Sequence, residues 1–462
     1  MSLILHDDDD LDEGALVALT AEAEAAHATG LGSDQQRVVD LVLDGKSVLA
    51  VGGAGVGKSW LISHLARLYK ADPGVCFTAT TGIAAVHIGG ITIHSFAGVK
   101  SFDVPIGWLL RGVLGDEKKR QRWRECRLLF IDEISMLSSA DFDKLDEMAR
   151  KVRGDARPFG GIQLVVSGDF MQLLPVPPTQ SQGKRKHNED EAVGPPLPAF
   201  MAASWDRCLP HKVLLRKNYR QQDNDAFQHL LNGMRFGTLT PVQHAMLTTT
   251  ATHKLDIAHG VQPVVLYPHR LKAQQENQRQ LDALEGKLYT YSAKDTIHDK
   301  TYAEVLKDCP APETVSWKVG AQVMLLKNLD VAKRLVNGAC GVVVATRGPY
   351  PEVRFESGEQ KLVSPEAFEI SVQGRVVATR TQIPLNLAWA LTIHKSQGMT
   401  LDRAVVHAQG IFADHQLYVG VSRVCQLEHV RIVGYWPSAV RCNAKCAKYM
   451  KELEAAMEAL EV

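Results

Sequence analysis

The chain has no apolar run long enough to cross a bilayer, which excludes a helical membrane span. It also lacks a charge excess of either sign: 52 Lys and Arg stand against 52 Asp and Glu, so bulk charge does not announce a nucleic-acid binder. Cysteines are few for 462 residues, eight in all and scattered, and the closest pair, Cys442 and Cys446, has no partners at zinc-ligand spacing. Reduced thiols are expected, with neither a disulfide framework nor a zinc module. The N-terminus, Met1-Ser2-Leu3-Ile4-Leu5-His6 before four aspartates, suits neither a secretory signal nor an Arg-rich transit peptide. With no targeting segment evident, the expected setting is nucleus or mitochondrion in a eukaryote and cytoplasm otherwise. What is present, 45% apolar and 23% charged residues over a length that suits two to four domains, is the composition of a soluble globular protein.

Gly52-Gly53-Ala54-Gly55-Val56-Gly57-Lys58-Ser59 follows the apolar run Val48 to Val51 and precedes a helix-like stretch from Trp60 to Tyr69. This G-x-x-x-x-G-K-S pattern on a strand, loop and helix is a phosphate loop. Its glycines let backbone N–H groups wrap phosphates while the helix N-terminus adds its positive dipole end. Lys58 would reach the β and γ phosphates of a nucleoside triphosphate, and the Ser59 hydroxyl would hold Mg²⁺.

Further strand candidates at Val75 to Ala79, Leu128 to Ile131 and Leu164 to Ser167 alternate with helical segments, as in a parallel sheet covered on both faces. An acidic lead-in occupies residues 1–30, and a polar, Pro-flanked interruption at 178–198, carrying Lys184-Arg185-Lys186, reads as a surface loop. Arg111, Lys118, Lys119, Arg120, Arg122, Arg124 and Arg127 make a basic stretch around Trp123, either a solvated helix face or a phosphate-contacting surface. A second α/β unit is expected from His211, with strands at Val264 to Tyr267, Ala404 to His407 and Val430 to Val433. Residues 316–378 are rich in Val, Gly and turn signals and read as a small inserted β-barrel.

The run Leu128 to Ile131 leads into Asp132-Glu133, an acid pair at a strand end. Asp132 suits the Mg²⁺ water shell and Glu133 suits polarising the attacking water. The third strand ends in Gly168-Asp169-Phe170-Met171-Gln172-Leu173-Leu174-Pro175-Val176, where the Gln172 amide is placed to bond the γ-phosphate or the water. Upstream of the first strand, Gln35 in Leu31-Gly32-Ser33-Asp34-Gln35-Gln36 is placed to read an adenine edge.

Together with Thr78 to Ala85, these segments resemble the ordered motifs of superfamily 1 DNA helicases, specifically the Pif family of 5′→3′ helicases. Leu215 to Gln221, Ala388 to Asp402 and Tyr418-Val419-Gly420-Val421-Ser422-Arg423 resemble later motifs of that family, so the likeness runs from about Leu31 to about Cys442. It implies an α/β fold of two tandem RecA-like domains. Domain 1A would span 31–210 with a wedge-like insertion at about 97–125. Domain 2A would comprise 211–315 and 379–446 around the barrel 2B at 316–378, with a C-terminal helix at 447–462. It implies ATP and Mg²⁺ as cofactors, with Lys58, Glu133, Gln172, Arg220 and Arg423 as catalytic residues, the two arginines reaching from the second unit. DNA contacts are implied at Thr80, Gly82, His94 and Phe96, the last by stacking, and at Thr392, His394, Lys395, Ser396 and Gln397. The expected substrates are single-stranded and tailed duplex, forked or G-quadruplex DNA, and the chain is expected to be a monomer in solution. An RNA or conjugative-type helicase motor, or another phosphate-loop ATPase, is the alternative. Val56, Leu174 and Gly420-Val421 depart from the family pattern, and Gly420 is expected to loosen the helix ahead of Arg423.

Overall fold

The computed structural model describes residues 30–70, 72–175, 195–221, 224–330 and 332–461. The acidic lead-in short of Gly30, Val176, and the polar segment with Lys184-Arg185-Lys186 lie outside the described residues.

Six strands, β1 (Val48–Gly52), β2 (Val75–Ala79), β3 (Ile91–Thr92), β4 (Leu128–Asp132), β5 (Gln163–Gly168) and β6 (His211–Leu215), form one sheet in the order β3-β2-β4-β5-β1-β6. Every pairing in it is parallel. β1 and β4 are buried along their whole length, which is why they read as unbroken apolar runs and not as alternations. Val48 and Ala50 pack with helices Ser33–Leu43 and Lys58–Leu68, while Leu49 and Val51 face the helix Ser139–Arg153 on the other side.

Two boundaries differ from the expectation. His211–Leu215 does not open the second unit: it pairs with β1 as the outer strand of the first sheet. The C-terminal helix Ala444–Glu461 also returns to the first unit, where Cys446, Met450, Leu453 and Met457 are buried with Trp205 and Phe170. A linear reading places an element by its neighbours in sequence, and both of these pack with partners far along the chain.

The second unit has a four-stranded parallel sheet in the order Ala390–Thr392, Val264–Tyr267, Ala404–His407, Val430–Val433. Helices Asp225–Phe236 and Gln416–Val421 pack on it. The β-rich region runs from Tyr289 to Leu387, wider than 316–378, and its strands fall into antiparallel sheets of five, three and two. No ladder among the described residues closes them into one barrel.

The insertion at 97–125 is helical, Ile106–Leu114 followed by Glu117–Glu125. At Arg122 its basic stretch is neither a solvated face nor a phosphate-contacting surface. Trp123 is fully buried against Phe96, and Arg122, itself buried, donates to Tyr302 Oη at 2.8 Å. Trp108, by contrast, is 66% exposed, with the Arg111 guanidinium over its ring.

Candidate nucleotide site and nucleic-acid groove

Because β4, β5 and β1 are neighbours, their C-terminal ends bring Asp132, the Gly168 to Gln172 turn and the Gly52 to Ser59 loop to one edge of the sheet. Gly55 and Gly57 have φ of 84° and 79°, where a side chain is strained. Space is short as well: a Cβ on Gly57 would lie 2.6 Å from Gln35 Nε2, and one on Gly55 2.7 Å from Asn218 Oδ1. Lys58 Nζ donates to the carbonyls of Gly52 and Gly53, both at 2.8 Å. Burial pushes the Lys58 ammonium down, opposed first by Asp169 and then by Glu133. Gln35 is buried behind the loop, its Oε1 accepting from Gly32 N at 3.1 Å and Tyr219 Oη at 3.4 Å.

Asp132 Oδ1 accepts from Ser167 Oγ and, at 2.9 Å, from Glu133 N, and burial raises its carboxyl above the usual range. Glu133 adopts φ 54° and ψ 43°, a left-handed conformation rare for a residue with a side chain. Such strain persists where surrounding contacts impose it, as at active sites. Burial, and then the Asp132 charge, push the Glu133 carboxyl up to about 7. Asp132 and Ser59 line one cavity and offer hard oxygen donors of the kind that suit Mg²⁺.

The facing wall comes from the chain after β6 and from the second unit. Arg423 is 1% exposed, with Nε on Val419 O at 2.8 Å and Nη2 on Ser422 Oγ at 2.8 Å. Burial and the neighbouring Arg220 disfavour its charge. Arg220 was expected from the second unit, but it stands on the connection between units. Tyr219 N donates to Gly55 O at 2.8 Å on one side, and on the other Arg220 Nη1 donates to Ser422 O and Nε to Thr400 Oγ1, both at 3.0 Å. Lys58, Ser59, Glu133, Gln172, Arg220 and Arg423 line one cleft of about 430 Å³. At Gly420 a Cβ would sit 3.1 Å from Val406 Cγ1, so the glycine lets the helix before Arg423 lie close on its sheet.

The residues assigned to DNA divide. Gly82 starts the Gly82–His87 helix behind its Thr81 cap, and His94 packs its ring on Phe102 at 4.7 Å. His394 is half-buried near the Phe412 ring and Lys395 is exposed. Four others do not present their side chains to a groove. Phe96 is fully buried against Trp123 and is core, not a stacking platform. Ser396 is fully buried and bonds Ile393 O at 2.8 Å, and Thr392 Oγ1 accepts from Lys395 N at 3.1 Å. Thr80 Oγ1 donates to Glu133 O at 2.7 Å, which ties this segment to the acid pair. The remaining residue, Gln397, spans both sides: it lines the larger cavity beside the cleft, and its Nε2 donates to Glu133 Oε2 at 2.9 Å. Beside the cleft lies a cavity of about 670 Å³, lined by Ser59, Thr81 and His87 from the first unit, Asn337 from the β-rich region, and His394 and Lys395 from the second.

Sequence reasoning missed Asp169, Arg235 and Tyr418, which join the units beside Gly53 and Ala54. Asp169 and Tyr418 stood within recognised segments. Arg235, inside an amphipathic helix, carried no signal.

Fold and site together define a phosphate-loop protein of two parallel-sheet units, with cationic side chains on the wall facing the loop. The descriptions "PIF1-like helicase" and "DNA helicase Pif1, 2B domain" match residues 30–244 and 303–345. The chain belongs to the PIF1-like helicase family. Among its relatives is ATP-dependent DNA helicase PIF1 of Homo sapiens, 38% identical over 427 residues, 92% of this chain and 64% of that protein. The chain thus spans somewhat less than two thirds of that relative's length. The crystal structure of Pif1 helicase from Candida albicans is similar with a TM-score of 0.72 at 34% identity, covering 92% of this chain and 99% of that one. Pif1 from Bacteroides in complex with ADP-AlF4 matches with a TM-score of 0.76 at 28% identity, covering 92% and 97%. Pif1 helicase from Bacteroides in complex with ADP-AlF3 and ssDNA matches with a TM-score of 0.60 at 27% identity, covering 93% and 97%.

Proposed function

We propose that this chain is the motor region of an ATP-dependent 5′→3′ DNA helicase that moves along single-stranded DNA and opens duplexes in genome maintenance. The observation that carries this is the two-sided cleft, with the phosphate loop and acid pair on one wall and Arg220 and Arg423 on the other. A cation supplied from beyond the first unit completes charge stabilisation only when the walls meet, which couples hydrolysis to relative movement of the units. Lys58 and the loop N–H groups bind the triphosphate, Ser59 and Asp132 would hold Mg²⁺, and Glu133 takes the proton of the attacking water. Mg²⁺ supplies neutralisation of the phosphate oxygens.

Single-stranded DNA as partner is supported by family membership and by the Bacteroides relative solved with ssDNA. Polarity, preference for tailed, forked or G-quadruplex substrates, a monomeric state in solution and a nuclear or mitochondrial setting in a eukaryote rest on family likeness. The insertion at 97–125, with exposed Trp108, is the strand-separating element of this reading. The test is ATP hydrolysis with and without single-stranded DNA, then strand displacement on duplexes tailed at either end. DNA should stimulate hydrolysis, 5′-tailed duplexes should open, and Lys58→Ala should abolish both. Stimulation by RNA alone, or none by any nucleic acid, would refute the DNA-motor reading.

A further inference from the structure

Beside the phosphate loop, the units meet through a buried polar contact that the scheme above leaves unused. Arg235, near the end of the Asp225–Phe236 helix of the second unit, donates from Nη2 to Asp169 Oδ1 at 2.9 Å. Their side chains are 7% and 0% exposed. The other carboxylate oxygen, Oδ2, accepts from Gln172 Nε2 at 3.1 Å. An ionised carboxylate can only accept, so Asp169 sets the orientation of the Gln172 amide: the NH₂ group turns to Asp169, leaving Oε1 for the cleft that Gln172 lines. A second tie runs alongside, since Ala54 N donates to Tyr418 Oη at 3.3 Å, and Tyr418 lies on the helix leading to Arg423. Gly53 fits beneath both, a Cβ there standing 3.8 Å from Arg235 Cζ and 3.9 Å from Tyr418 Oη. Stability is a weak reason for so buried an ion pair, because apolar residues of similar volume often serve as well. Its geometry is the better one.

We propose that Arg235 is a positioning residue for hydrolysis: reaching over from the second unit, it holds Asp169 and thereby presents Gln172 Oε1 to the water that attacks the γ-phosphate. The amide is then aligned only while the second unit is seated against the phosphate loop. This rests on the function proposed above and adds to it a link between unit seating and the attacking water.

The experiment uses the full chain with saturating single-stranded DNA. Arg235→Met alone would leave Asp169 buried and unpaired and risks misfolding. The informative variant therefore removes both charges, Asp169→Asn with Arg235→Gln, and Arg235→Lys serves as the conservative partner. The charge-neutral pair should melt near wild type and keep KM for ATP within about threefold, while kcat falls about a hundredfold, the scale of a misplaced reacting group. Arg235→Lys should fall between it and wild type. Gln172→Ala should lose about as much as the pair, and the triple variant no more, because both changes act through one amide. Wild-type kcat in the charge-neutral pair, or losses that multiply in the triple variant, would overturn the inference. A wild-type chain that fails to hydrolyse ATP would instead overturn the function proposed above, so the two failures are distinct.

Discussion

The nucleotide cleft and the proposed nucleic-acid groove are built from adjoining stretches of chain, yet they use their side chains differently. In the cleft, Lys58, Ser59, Glu133, Gln172, Arg220 and Arg423 converge on one volume. Along the groove, Thr80, Thr392, Ser396 and Gln397 point inward, to backbone or to Glu133. Phosphate chemistry at a point needs placed charges. Gripping a backbone of any sequence needs N–H groups and shape, which inward-turned side chains supply by holding the main chain still. A motif residue in the groove is thus as apt to shape the loop as to touch the ligand.

Glu133→Gln should keep ATP binding and lower turnover by about 10²–10⁴-fold, the range for loss of a positioned proton acceptor. Phosphate release beside a binding titration checks it, and normal turnover removes Glu133 as the base. Gln397→Ala should lower kcat by about tenfold, since one hydrogen bond to a charged group is lost, while single-stranded DNA affinity stays within twofold. A fall in DNA affinity with kcat intact would return Gln397 to the groove.

A third test concerns the support of the arginine wall. His415, buried at the start of the Gln416–Val421 helix, faces Asp169, Asp414 and Arg235, and burial lowers its ring to about 4. A histidine depressed in the folded state contributes stability that is whole above the unfolded value near 6.5. That stability is lost as pH falls toward 4, at about 1.4 kcal/mol per unit. Denaturation at pH 7 and pH 5 should show a gap that narrows in His415→Gln, and an unchanged gap would show that this ring does not govern it. The smallest effect is on DNA binding by Phe96→Leu. The core should lose about 1 kcal/mol, as for a typical destabilising substitution, while the folded protein binds single-stranded DNA as before. Weaker binding would restore Phe96 to the groove.

Much of the fold was legible because its strands are short, apolar and bounded by turns. Val75–Ala79, Val264–Tyr267, Ala404–His407 and Val430–Val433 fall where the pattern put them. The phosphate loop and the acid pair were legible because their chemistry demands fixed residue types on a strand end. What escaped was long-range. The pairing of His211–Leu215 with β1 leaves no local trace, nor does the meeting of Arg235 with Asp169, 66 residues apart. Phe96 illustrates the converse: an aromatic beside a motif looks available until Trp123 covers it.

The return of Ala444–Glu461 to the first unit means that the chain crosses between units twice, outward after Leu215 and back before Ala444. The second unit with its β-rich region is therefore an insertion held at both ends, and not the next bead on a string. Two anchors define a line, and a body fastened along a line swings as a door does. A nick in the return crossing, which carries no cleft side chain, would leave the cleft in place and still unhang the door.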